Sequence, residues 1–254
     1  MNRKKKSDCV CPVVAVQETA HGIYWLSFRA PAMAMAAEPG HFVFIKPEGE
    51  KAPLLRRAFS IASIEKDGNI AVCFDVKGPG TARLAQCGKG DMIRVLGPCG
   101  TPFPTQAFQA ANVLIAGGMG IAPMLFLAQR LKRLKKKVFF YFGARSREQL
   151  VLLSAVKKVS DSCVLATEDG SAGKKGFVTL HVRDTKGAPV FACGPNPMLK
   201  AVSALFPDAL VSLETRMACG LGVCMGCGVV MKDASIKRCC VNGPVFKGSE
   251  VQWD

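Results

Sequence analysis

The sequence predicts a mixed β and α/β chain built in three successive parts. These are a small antiparallel β-barrel over residues 8–104, a doubly wound parallel sheet with flanking helices over 108–211, and a short C-terminal module over 212–254. Three observations predict it. Short apolar or alternating runs punctuated by Pro and Gly fill the first part. Strand and helix patterns alternate beyond Pro102 and Pro104, and the last part is crowded with glycine and cysteine.

Strands are expected at Val13–Val16, Ile23–Phe28, His41–Lys46, Ala58–Ile61, Ile70–Val76 and Met92–Leu96, a rhythm that suits a barrel. The second part then reads as strand Val113–Ala116, a glycine turn, a helix to about Lys135, strand Val138–Phe142, helix Arg147–Val156 and strand Cys163–Ala166. A glycine-rich loop, strand Val190–Cys193 and helix Pro197–Leu205 follow. Leu127, Leu131 and Leu134 are expected to face inward from the first helix, which leaves Lys132–Lys137 as its solvated end or as a docking face for an acidic partner.

With 34 Lys and Arg against 19 Asp and Glu the 254-residue chain carries a net charge of +15, but the cations are dispersed without interleaved aromatics, so nucleic acid is not the expected partner. The stretch Ala111–Ala128 is nearly uncharged, yet Gly117, Gly118, Gly120 and Pro123 interrupt it, which argues for strand, turn and helix over a membrane span. Twelve scattered cysteines and a basic start without an apolar leader core or cleavage site point to a reducing cytoplasm.

Cys219, Cys224 and Cys227 form C-x4-C-x2-C, the plant-type [2Fe–2S] spacing, completed by a distant cysteine. Structural zinc usually shows two short C-x2-C hooks, and only one is present. Spacing alone leaves the fourth ligand open between the adjacent Cys239 and Cys240. Glycines 220, 222, 226 and 228 suit a backbone wrapped closely round a cluster.

Arg57-Ala58-Phe59-Ser60 places a guanidinium and a hydroxyl on a barrel strand, and Gly78-Pro79-Gly80-Thr81 opens a helix with exposed N–H groups. Together they suit a flavin pyrophosphate. Gly117-Gly118-Met119-Gly120 follows an apolar strand and opens a helix, as a dinucleotide loop requires, although it is not G-x-G-x-x-G. The loops at Thr167–Ser171, with Asp169, and at Cys193-Gly194-Pro195-Asn196 are expected at the same carboxyl edge. For Asp169 a plain turn residue, and for Cys193 a buried thiol, are the competing readings. His21, His41 and His181 are isolated, and no acid–base pair for substrate oxidation stands out. Glu214 is either a residue facing the flavin and nicotinamide or a strand-end carboxylate.

In this order, Arg57-Ala-Phe-Ser, Gly80-Thr81, Gly117-Gly-Met-Gly-Ile-Ala-Pro and Cys193-Gly-Pro-Asn-Pro-Met resemble the ferredoxin–NADP reductase superfamily. Thr167-Glu-Asp-Gly-Ser, Glu214-Thr-Arg-Met-Ala-Cys-Gly and Gly243-Pro-Val-Phe resemble, more narrowly, the electron transfer subunits of type B dihydroorotate dehydrogenase. The resemblance implies FAD at Arg57, Ala58, Phe59, Ser60, Phe74, Asp75, Gly80 and Thr81, and NAD at the sheet edge with Gly117, Gly118, Gly120, Asp169, Cys193 and Gly194. It also implies a [2Fe–2S] cluster on Cys219, Cys224, Cys227 and Cys240, the last placed two residues before Gly-Pro-Val-Phe. The chain departs from that family at Ala58, where proline is common, and in the extra Cys239.

The implied activity is electron transfer from a separate FMN-bearing dihydroorotate dehydrogenase catalytic subunit to NAD+ in pyrimidine biosynthesis, in a heterotetramer of two plus two. The alternative is a flavin and iron–sulfur subunit of an NAD(P)H–ferredoxin or sulfide-linked reductase. The residues themselves leave NADH against NADPH open, since Arg145 and Arg147 suit either a 2′-phosphate or a helix start. The resemblance favours NAD.

Overall fold

The structure, a computed structural model, describes residues 6–48, 54–182 and 185–253. Its first part runs β1 Ser7–Ala20, β2 Ile23–Arg29, α1 Pro31–Ala36, β3 Phe42–Pro47, β4 Arg57–Ile64, β5 Asn69–Asp75, α2 Pro79–Ala85 and β6 Met92–Cys99. The six strands close an antiparallel barrel in the order β1-β2-β5-β4-β3-β6, so no edge of this sheet is left unpaired. Leu26, Phe28, Val43, Ile45, Ile61, Val72, Ile93 and Val95 fill its interior. All six expected strands are present; four run longer than expected, because ladder pairing continues past the apolar run that betrays it, and those expected at His41–Lys46 and Ile70–Val76 are shifted by one residue.

The second part contains β7 Ala111–Gly117, α3 Ile121–Arg133, β8 Lys137–Ala144, α4 Leu153–Val159, β9 Ser162–Thr167, β10 Lys174–Lys175, β11 Val190–Cys193, α5 Asn196–Leu205 and β12 Leu210–Ser212. The final part adds β13 Gly228–Val230, β14 Ile236–Arg238, α6 Cys239–Asn242 and β15 Val245–Lys247. The large sheet has the order β10-β9-β8-β7-β11-β12-β15, parallel except for β15, which pairs antiparallel with β12. Chain order reverses between β7 and β11, so the ligand-binding crevice of a doubly wound sheet falls at the carboxyl ends of those two strands.

Leu127 and Leu131 of α3 are buried as expected, whereas Leu134 is 42% exposed. The helix ends at Arg133, so Leu134 is its capping residue and no longer follows the buried face, and the positive φ of Lys135 then turns the chain away. The single helix expected over Arg147–Val156 is instead a 3-10 turn at Arg147–Gln149 followed by α4, the two separated by Leu152 at φ 56°. Periodicity missed β12 and β15 because each is only three residues long. Through β15 the C-terminal module joins the nucleotide sheet. Phe42 and Phe44 of the barrel, Val113 and Val211 of the sheet, and Cys227, Cys240 and Phe246 of the module share one buried cluster.

Candidate cluster, flavin and nucleotide sites

The loop from Cys219 to Cys227 winds through two left-handed glycines, Gly220 at φ +68° and Gly222 at φ +83°, a conformation that side-chain-bearing residues rarely adopt. A Cβ on Gly220 would stand 2.5 Å from the Phe44 ring, and one on Gly222 would stand 2.5 Å from Val241, so the loop is pressed against the barrel on one side and α6 on the other. The Leu221 N–H donates to the Cys219 Sγ at 3.3 Å. Partial burial pushes the Cys219 thiol up, but N–H groups of Leu221, Cys224 and Val223 outweigh it and hold the thiol at about 6.

The four cysteines approach one another in two pairs, Cys219 beside Cys224 and Cys227 beside Cys240. Among the described residues no three His, Cys, Asp or Glu side chains gather round a single metal ion. Two thiol pairs are what a two-iron cluster takes, one pair to each iron, so the donor set fits [2Fe–2S]. Cys239 lies off this set. It is fully buried, its Sγ donates to the Leu213 carbonyl oxygen at 3.5 Å, and burial pushes its thiol up to about 12. The Cys240 N–H, by contrast, points to the Cys227 Sγ at 3.5 Å. Cys224 is exposed, Cys219 half-buried, and Cys227 and Cys240 are buried, so the set opens outward through Cys219 and Cys224.

In the barrel, a Cβ on Gly80 would overlap the guanidinium of Arg57, which therefore lies across the start of α2 and also donates to the Leu55 carbonyl. Thr81 closes that start: its Oγ1 accepts from the N–H groups of Lys77 at 2.9 Å and Gly78 at 3.2 Å. This cradle, a guanidinium over a helix opening, suits a pyrophosphate. Ser60 is half-buried on β4, and Ala58 packs against the shared buried cluster. Phe59 and Phe74 do not reach the cradle. Their rings pack inside the barrel with centroids 5.2 Å apart, which leaves mainly backbone at these positions for any ligand outside. Asp75 ends β5 and pairs with Lys77 at 3.0 Å.

At the switch point, a Cβ on Gly117 would meet the Met198 Sδ at 2.6 Å, and one on Gly194 would meet the Gly117 Cα at 3.0 Å. The two loops therefore touch backbone to backbone and frame one crevice. Cys193 is fully buried, and burial pushes its thiol well up, aided by the nearby Glu214, so it packs as a hydrophobe. Asp169 sits in a loop tied to the end of β8, two strands away. Its Oδ1 accepts from Ser171 N–H at 2.9 Å and Oγ at 2.6 Å, which lowers its carboxyl. Arg147 is held to that loop through its own N–H to Ser171 Oγ at 2.8 Å and its Nε to Ser171 O at 3.1 Å.

Glu214 follows β12 with solvent-open surface yet is crowded by protein. That crowding raises its carboxyl, Lys77 lowers it and Asp75 raises it. It also lines a cavity of about 440 Å³ with Asn196, Lys200, Thr215 and Trp253. Two residues that sequence reasoning missed hold the cysteine loop: Lys6 Nζ donates to the Gly220 carbonyl at 3.0 Å, and Arg238 Nη1 to the Gly222 carbonyl at 2.6 Å. Only the general basicity of the chain start hinted at the first.

A closed barrel joined to a doubly wound sheet whose switch point carries glycine loops defines an oxidoreductase with the ferredoxin reductase fold. The comparisons agree. Residues 114–204 match the oxidoreductase NAD-binding domain, and 214–252 match the iron–sulfur cluster binding domain of dihydroorotate dehydrogenase B. A dihydroorotate dehydrogenase B (NAD(+)) electron transfer subunit from Desulforamulus reducens is 37% identical over 95% of this chain and 97% of its own. A homolog of that subunit from Aquifex aeolicus is 40% identical over 90% of this chain and 92% of its own. The chain belongs to the family of dihydroorotate dehydrogenase B electron transfer subunits.

Among solved structures, one of an NADH-dependent reduced ferredoxin-NADP oxidoreductase, described for flavin-based electron bifurcation, aligns with TM-score 0.84 at 30% identity. It covers 97% of this chain and 91% of that one. A ferredoxin NADP+ reductase from Neisseria gonorrhoeae with bound FAD and NADP aligns with TM-score 0.64 at 21% identity over 83% and 93%, a likeness of fold.

Proposed function

We propose that this chain carries electrons from an FMN-containing dihydroorotate dehydrogenase catalytic subunit to NAD+, with Cys219, Cys224, Cys227 and Cys240 holding a [2Fe–2S] cluster. When bound, the cluster and FAD supply the conversion between single electrons and a hydride. Arg57, Gly80 and Thr81 hold the flavin pyrophosphate at the opening of α2. Ala58, Phe59, Ser60, Phe74 and Asp75 line the adjoining strands. Gly117, Gly118, Gly120, Cys193 and Gly194 give the nicotinamide cofactor a close backbone approach at the switch point, and the Asp169 loop borders the same edge.

The observation that carries the partner reading is the exposed Cys224, set among exposed Leu221, Val223 and Met225, with exposed Leu54 and Leu55 beside Cys219. Apolar side chains clustered round a redox-active edge suit a permanent subunit contact that excludes water and shortens the electron path. Lys46, Arg56 and Arg94 border Leu54, Leu55 and Cys219 in a cavity of about 280 Å³, so the partner face should be apolar with an acidic rim. The assembly is a heterotetramer of two plus two in the cytoplasm. No helix among the described residues is long and apolar enough to cross a membrane.

Expression with and without the catalytic subunit tests this reading. The pair should co-purify with two copies of each chain, one FAD and two irons per copy of this chain, and FMN on the partner. Failure to co-purify, with NADH oxidation by the lone chain intact, would favour the second reading, an NAD(P)H–ferredoxin reductase subunit, which the 0.84 TM-score likeness supports.

A further inference from the structure

We propose that Lys6 and Arg238 raise the reduction potential of the cluster, Lys6 by polarising the peptide group that donates a hydrogen bond to the Cys219 sulfur and Arg238 by holding a second positive charge against the same loop. This rests on the assignment of Cys219 as a cluster ligand. Lys6 Nζ donates to the carbonyl oxygen of Gly220, and the same peptide group carries the Leu221 N–H that donates to Cys219 Sγ at 3.3 Å. Arg238 Nη1 donates to the carbonyl oxygen of Gly222 at 2.6 Å and so holds a second positive charge against the same cysteine loop.

A trans peptide is planar, with its C=O and N–H pointing in opposite directions. A cation on the oxygen therefore withdraws charge along the group and strengthens the hydrogen bond that leaves from the other end. The relay and the second cation reach the loop from two different elements. Lys6 comes from the segment leading into β1, which pairs with β6 at Ser7 and Gly97, and Arg238 from the end of β14. The left-handed glycines 220 and 222 make the arrangement possible, because they turn these carbonyls outward while the following N–H groups turn inward.

Hydrogen bonds to ligand sulfurs and positive charge near a cluster both favour its more negative, reduced form. Lys6, at the basic start of the chain, thereby gains a role in setting the direction of electron flow.

The test is an anaerobic redox titration of the intact complex followed by EPR, which counts only cluster-loaded molecules, with iron and labile sulfide measured alongside. Lys6→Met should shift the midpoint negative and Lys6→Arg should restore it, while Arg238→Gln should shift it in the same direction. A tenfold loss in the ratio of reduced to oxidised cluster at fixed potential corresponds to 59 mV for a one-electron couple. An unchanged midpoint in Lys6→Met, or a shift that Lys6→Arg does not reverse, overturns the proposal. Wild-type chain without iron or labile sulfide overturns the cluster assignment instead.

Discussion

Gly120 stands so close to the carbonyl of Cys193 that a single added methyl group would overlap both its carbon and its oxygen. The obstacle is backbone, which cannot swing aside, so the turn before α3 and the turn after β11 hold a fixed separation. Gly120→Ala should cost about 1–3 kcal/mol of stability and force the two loops apart. Flavin and cluster absorbance should remain while the affinity for NADH falls. Titration of NADH against the purified chain checks this, and unchanged affinity would remove Gly120 from the crevice.

Gly118 offers the contrast. A Cβ there meets nothing within 4 Å, and the only cost is its positive φ of +51°. Gly118→Ala should lose about 1 kcal/mol in thermal or chemical unfolding and keep the two loops in contact.

The two adjacent cysteines separate cleanly. Cys240→Ala should abolish iron and labile sulfide, since its sulfur pairs with Cys227. Cys239→Ala should retain both and cost about 1 kcal/mol for the small void beside Leu213. The reverse pattern would move the fourth ligand to Cys239.

Thr81→Val removes the hydroxyl that accepts from the Lys77 and Gly78 N–H groups, which should cost about 0.5–2 kcal/mol. Because the same turn supports Arg57, FAD should also dissociate more readily. Arg57→Lys should weaken FAD further, since an ammonium lacks the planar fork that grips a pyrophosphate. Flavin retained on desalting reports both effects.

Asp8 bridges Arg56 at 2.7 Å and Arg94 at 3.1 Å across the barrel seam. Partial burial raises its carboxyl, but hydrogen bonds and charge from Arg94 and Arg56 outweigh it and set it below the usual value of 3.8. A lowered folded pKa adds stability above 3.8 that is lost as pH falls through the folded value. Asp8→Asn should therefore cost about 0.2–1 kcal/mol at pH 7, discounted for its solvent exposure, and nothing once the carboxylate is protonated. Melting temperatures of both forms against pH check the sign.

Much of the architecture was legible because apolar periodicity is strong where strands are long. All six barrel strands and β7, β8, β9 and β11 follow directly from runs such as Val113–Ala116. The three-residue strands β12 and β15 bury too few side chains to leave a pattern, and so the stitching of the C-terminal module into the sheet was invisible. The cysteine spacing announced the cluster, while the choice between Cys239 and Cys240 depends on which way α6 turns each thiol. Phe59 and Phe74 sit in motifs that suggested flavin contacts, but strand alternation sends their rings into the barrel. Beyond the basicity of the chain start Lys6 carried no signal, since its contact with Gly220 spans 214 residues.

The most direct measurement is dihydroorotate-driven reduction of NAD+ by the assembled complex, with wild-type chain and with Cys224→Ala, alongside NADH oxidation by an artificial dye. Electron flow through the exposed cysteine edge predicts robust dihydroorotate-driven activity in wild type that falls to background in Cys224→Ala, while dye reduction persists in both. Undiminished activity in Cys224→Ala, or dye reduction without any dihydroorotate turnover by wild type, would contradict it.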